Sequence, residues 1–160
     1  VLQPPPPLTV VPAVTEPWQY ELLLPSDLRG PRVARSTVRA VLLHHGLEQL
    51  SYRAALLTTE LVTNSVRYTE GPASVRVTWR SPELRVSVWD TSPDLPPGCG
   101  GPRPLPSADS ETGRGLLLLD VYADRWGGCA LGSTPWGSGG KTIWFELHAK
   151  EGEEGAEEDR

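Results

Sequence analysis

Methionine is absent from the 160 residues, phenylalanine occurs once, cysteine twice and lysine only at Lys141 and Lys150. With no methionine and Val1 at the start, a processed or trimmed N-terminus is expected. Cys99 and Cys129 each lie in Gly-rich sequence and lack metal-ligand spacing, and a disulfide between them is left open. No run approaches the roughly 20 apolar residues that span a bilayer, so no membrane segment is expected. The opening lacks a charged stretch followed by an apolar one, so no export signal is expected and a reducing cytoplasm is the default setting. A basic excess is missing too: the formal net charge is -5, which excludes a general nucleic-acid binder.

What is abundant is arginine, glycine, proline, alanine and leucine, a bias expected of a GC-rich bacterial genome. The acidity is concentrated in residues 149–160, where six carboxylates follow one another with no large apolar side chain, so a solvated tail is expected there. At the other end, residues 1–17 carry Pro4-Pro5-Pro6-Pro7, Pro12 and Pro17, the composition of a flexible, extended leader. One domain is expected between them, over 18–148.

Within that domain the pattern predicts a strand over Trp18–Leu24, stopped by Pro25. A helix follows, with Ser26 and Asp27 as N-cap candidates, Pro31 near its start and Gly46 closing it after His45. Leu50, Ala54, Leu57 and Leu61 form an apolar stripe along a second helix from about Leu47 to Thr69. Two strands alternate next, one with Val75, Val77 and Trp79 on a face, the other with Leu84, Val86 and Val88. Residues 91–112 lose all periodicity, a loop long enough to be a lid. Gly113-Arg114-Gly115 then opens onto a short helix at Leu116–Leu119, and strands at Trp126–Leu131 and Lys141–His148 flank a second Gly-rich loop. The order predicts an α+β, two-layer sandwich: a mixed, mostly antiparallel sheet of about five strands with about three helices on one face.

Three features carry chemistry. Glu60 and Asn64 are one helical turn apart and project from one face at about 6 Å, a carboxylate and a carboxamide suited to a metal-bound phosphate and a nucleophile. A solvated helix face is the competing explanation. Asp90 shares the apolar side of its strand with Leu84, Val86 and Val88, so it needs a donor. An adenine amino group is one such donor; a strand-end cap or turn is the other explanation. Gly113-Arg114-Gly115 lets backbone N–H groups at a helix start approach a phosphate, with Arg114 as a charged contact, or it is simply a tight turn.

In that order and spacing the three features resemble the N, G1 and G2 boxes of the GHKL ATPases, the superfamily of gyrase, the heat-shock 90 chaperones, histidine kinases and mismatch-repair proteins. The resemblance covers about Trp18 to His148 and implies their Bergerat ATP-binding fold. It implies that Asn64 coordinates Mg²⁺, that Glu60 is the general base, and that Asp90 bonds the adenine amino group. It places Arg67 near the phosphates, and Gly113, Arg114, Gly115 and Leu116 along the triphosphate under the loop as lid. The chain departs from the family where Asp90-Thr91-Ser92-Pro93-Asp94 stands in place of Asp-x-Gly-x-Gly, and from the anti-sigma kinases where Tyr68, as in many histidine kinases, stands for their usual His at the end of the N box. The family's last strand often begins Gly-Thr with the Thr near adenine; here Lys141 separates Gly140 from Thr142, so the resemblance makes both nucleotide-binding candidates, and parity puts Lys141, on the side of Ile143, Phe145 and Leu147, toward the pocket.

Size points to the small stand-alone branch, the anti-sigma-factor serine/threonine kinases. A sensor histidine kinase needs an acceptor helical hairpin, whereas His44 and His45 end a helix of the ATP domain and Gly46 follows them. The resemblance then implies ATP and Mg²⁺ as ligands, a sigma factor and a small anti-anti-sigma (STAS-type) protein as partners, and homodimers. A nucleotide-gated binding module without turnover remains as the alternative, because the G1 glycines are missing.

Overall fold

Strict alternation of buried and less buried positions runs along β2 (Ala73–Arg80) and β3 (Glu83–Asp90) in the computed structural model, which describes residues 17–96, 111–134 and 137–150. The leader before Pro17, the tail from 151 and most of the expected lid lie outside the described residues, as does Cys99. β1 (Trp18–Leu24) pairs with β2, β2 with β3, β3 with β7 (Lys141–His148), and β7 with β4 (Arg125–Ala130). The result is a five-stranded sheet in the order β1-β2-β3-β7-β4, in which every pairing is antiparallel. A short hairpin, β5 (Ser133–Thr134) and β6 (Gly137–Ser138), fills part of the second Gly-rich loop.

The period-2 pattern fixes which side of the sheet is wet. Val75, Val77, Trp79, Leu84, Val86, Val88, Ile143, Phe145 and Leu147 all point to one face and form the sheet's share of the core. Onto that face α2 (Glu48–Tyr68) brings Leu50, Leu57, Leu61 and Val62; α1 (Gly30–His44) packs on α2, and α3 (Glu111–Tyr122) packs between α2 and β4. Each fully buried Leu or Phe contributes about 1.5–3 kcal/mol, so this apolar layer is the main source of stability. The two-layer α+β sandwich expected from the pattern is present.

Two helix starts differ from expectation. α1 begins at Gly30, with Arg29 at the N-cap and no side-chain cap. Asp27 instead turns its carboxylate onto Arg29, accepting from the Arg29 backbone N–H (2.8 Å) and its guanidinium, so the caps expected at Ser26 and Asp27 are replaced by a local ring. Pro31 falls in the first turn, as expected. At the other end Gly46, at φ +71°, lets Leu47 N–H reach Leu42 O (2.8 Å) and Gly46 N–H reach Leu43 O (3.2 Å). The second difference is α3, which starts at Glu111, so Gly113, Arg114 and Gly115 lie inside its first turns and not before it.

Candidate functional site

β3 ends in a carboxylate pointing inward. Asp90 follows Leu84, Val86 and Val88 on the helix-covered face and is 3% exposed, a position where an ionised group needs several donors. It has them. Lys141, the first residue of β7 and the register partner of Asp90, places its ammonium 2.7 Å from Oδ1 and 2.8 Å from Oδ2. The Ser65 hydroxyl on α2 donates to Oδ2 at 2.7 Å, and the Ser92 backbone N–H donates to Oδ1 at 3.0 Å.

Glycine makes this junction sterically feasible. Gly140 has φ +77°, and a Cβ there would run into the Asp90 carbonyl oxygen and sit 3.0 Å from Trp89 Nε1. Gly71 is less tightly placed against the Thr91 side chain, whose Oγ1 and Cγ2 would be 2.6 Å from an added Cβ. The strand end therefore has glycine backbone on two sides, and Trp89 donates to Gly139 O at 2.9 Å from the opposite face.

Beside Asp90 is a small, partly open pocket lined by Leu61, Asn64, Ser65, Val88, Asp90 and Ile143. One turn of α2 back from Asn64, Glu60 is half-buried. The N-terminal part of α3 meets this pair: a Cβ on buried Gly115 would be 3.2 Å from Asn64 Nδ2 and 3.8 Å from Glu60 Oε2. The fold thus brings together Glu60, Asn64 and Gly115 at one end, and Asn64, Asp90 and Lys141 at the other.

The remaining candidates sit differently. Leu116 is 5% exposed and belongs to the core. Arg67 is exposed in the last turn of α2. Thr142 is half-buried between Trp89 and Cys129 in the register, on the face away from Asp90. For Gly113 and Arg114 the helical backbone alone is described. Cys129 is exposed and unbridged among the described residues. Sequence reasoning missed Ser65 and Ser92 as partners of Asp90. Ser65 had a signal: it continues the stripe Leu57-Leu61 on the sheet-facing side of α2, where a hydroxyl is out of place unless it has a partner.

Comparison with known proteins adds two findings. The profile of a family described as "Histidine kinase-like ATPase domain" matches residues 24–145. An uncharacterized protein of Streptomyces coelicolor is 44% identical over 73 residues, covering 43% of this chain and 66% of that protein, a little under two thirds of its length.

Proposed function

This chain belongs to the histidine kinase-like ATPase family, and on that premise we propose that it binds ATP with Mg²⁺ beside α2 and phosphorylates a small regulatory protein. The observation that carries the proposal is that Glu60 and Gly115 meet at Asn64, which lines one pocket together with Asp90. A base seated near Leu61, Val88 and Ile143 has apolar walls, and Asp90 is the acceptor for its 6-amino group.

The polar end suits a divalent ion with phosphates. Gly115 leaves open the space a Cβ would fill against Asn64 and Glu60, and both side chains offer the hard oxygen donors Mg²⁺ takes. Asn64 would hold the ion, which when bound offsets phosphate charge. The first turn of α3 supplies free backbone N–H groups, and Gly115 just after it leaves room beside Asn64 and Glu60.

In the transfer, Glu60 accepts the proton from a Ser or Thr hydroxyl of the substrate protein. The hydroxyl oxygen bonds to the γ-phosphorus, the bond from that phosphorus to the β–γ bridging oxygen breaks, and ADP leaves. The branch this resembles takes an anti-anti-sigma protein of STAS type as substrate and a sigma factor as competing partner, in a homodimer. A second reading, a nucleotide-gated binding module without turnover, draws on the Lys141–Asp90 ion pair, which occupies the carboxylate that the first reading gives to adenine.

Calorimetric titration with ATP·Mg²⁺, followed by transfer of labelled phosphate to candidate antagonists, tests the roles. Glu60→Ala is expected to leave ATP affinity nearly intact and to cut transfer by about 10²–10⁴-fold. Asp90→Asn replaces an acceptor by a donor and is expected to weaken binding by about tenfold or more. Transfer at the parental rate in Glu60→Ala would remove Glu60 as the general base; ATP binding without any transfer in the parent would select the binding module.

A further inference from the structure

The Asp90 carboxylate has no acceptor site left. An ionised carboxylate offers about four lone-pair positions, and here all are taken: two by Lys141, one by Ser65 and one by the Ser92 N–H. A 6-amino group arriving at Asp90 must therefore displace a donor. The Ser92 N–H is main chain, and the Ser65 hydroxyl, which also lies 3.2 Å from Leu61 O, holds one oxygen only. Lys141 is different: it alone holds both oxygens, and its charge sits at the tip of a flexible four-carbon stem that can swing away without moving an element.

We propose that Lys141 is the residue that sets base specificity in the nucleotide pocket, by holding the Asp90 acceptor against a 6-amino purine. The inference rests on the assignment of Asp90 as the base acceptor. Lys141 has three N–H donors, two of them on Asp90, so one remains. A 6-oxo purine presents an acceptor at the position where adenine presents a donor. Such a base meets the third ammonium proton with the ion pair intact, whereas adenine competes with the ammonium for the Asp90 oxygens. The side chains of Asp90 and Lys141 are 4% and 9% exposed, so little water competes for the pair and its opening opposes ATP binding. The chain as it stands discriminates poorly in favour of ATP, and loss of the ammonium restores the preference.

The test is calorimetric titration of the full chain with the Mg²⁺ complexes of ATP and of inosine triphosphate, which carries a 6-oxo group and no 2-amino group. The parent is expected to bind the inosine nucleotide at least as tightly as ATP. Lys141→Met keeps an apolar stem and removes the charge; it is expected to tighten ATP by about tenfold and to leave the inosine nucleotide no tighter. Lys141→Arg keeps a cation on Asp90 and is expected to behave as the parent. The ratio of the two affinities separates this role from a structural one, since a damaged fold weakens both nucleotides together. A parent that prefers ATP by more than about tenfold, or a folded Lys141→Met with an unchanged ratio, overturns the inference and leaves ATP binding standing. If neither protein binds either nucleotide, the assignment of the pocket to nucleotides fails with it. Should Lys141→Met not fold, the parent's own ratio decides.

Discussion

Asp27 accepts three hydrogen bonds from one neighbour: the Arg29 backbone N–H at 2.8 Å, its Nε at 2.9 Å and an NH2 group at 2.8 Å. The guanidinium, more than the backbone N–H, favours the charged form and holds the Asp27 pKa at about 2 against the ordinary 3.8. Because the folded value is the lower one, any stabilisation is present above the unfolded value and disappears as pH falls from 3.8 toward about 2. A carboxyl-detected NMR titration is expected to find the Asp27 midpoint near 2 in the parent and higher in Arg29→Ala, short of the ordinary 3.8 because the backbone N–H remains; equal midpoints would break the assignment. Asp90 gathers as many donors, but from three separate elements. Strand parity alone aims both Asp90 and Lys141 at the helix layer. Their meeting is set by the β3–β7 register across 51 residues, and no local pattern carries that register. What was legible at this scale was direction; what was not was partnership.

Two glycines at nearly the same φ show how an element's end differs from its contact with another. Gly46 (φ +71°) closes α1, and a Cβ there would meet nothing within 4 Å. Gly46→Ala therefore bears only the left-handed backbone cost, about 1–2 kcal/mol. Gly140 (φ +77°) leads into β7, and its Cβ would also collide with the Asp90 carbonyl. Gly140→Ala is expected to cost clearly more than Gly46→Ala in denaturant unfolding; equal losses would show that the β3 end yields freely. The helix closure at Gly46 was readable because a glycine after an apolar periodic run is a local signal. The start of α3 was not. Glycines at 113 and 115 disfavour a helix interior by about 1 kcal/mol each relative to alanine, yet the helix runs through them, and Gly115 lets α3 pack directly on Glu60 and Asn64. Propensity gave way to packing there, at the place where the site is assembled.

The sheet divides stability from function between its two faces. On the helix-covered face lie the apolar core and every group that converges on the pocket. On the other face Glu146 is 3% exposed, held by Arg85 at 3.0 Å and by Arg125 at 3.5 Å, while the Arg85 guanidinium lies 4.1 Å from the centre of the Trp144 ring. The period-2 pattern made the first face legible from the sequence. The second was not, because Arg85 and Glu146 are 61 residues apart and each looks like an ordinary surface charge. Among the described residues, Arg85→Ala leaves the buried Glu146 carboxylate with Arg125 alone, and that arginine's side chain is 66% exposed. The expected loss is about 1–3 kcal/mol of unfolding free energy, the cost of a poorly satisfied buried acceptor. Because Arg85 and Glu146 point away from the pocket, ATP affinity measured well below the new melting temperature is expected to stay at the parental value. Unfolding in urea and ATP titration of the same variant read the two quantities separately. A fall in affinity that tracks the fall in stability would mean that the open face positions β3 and β7 for the nucleotide, and that the two faces act as one unit.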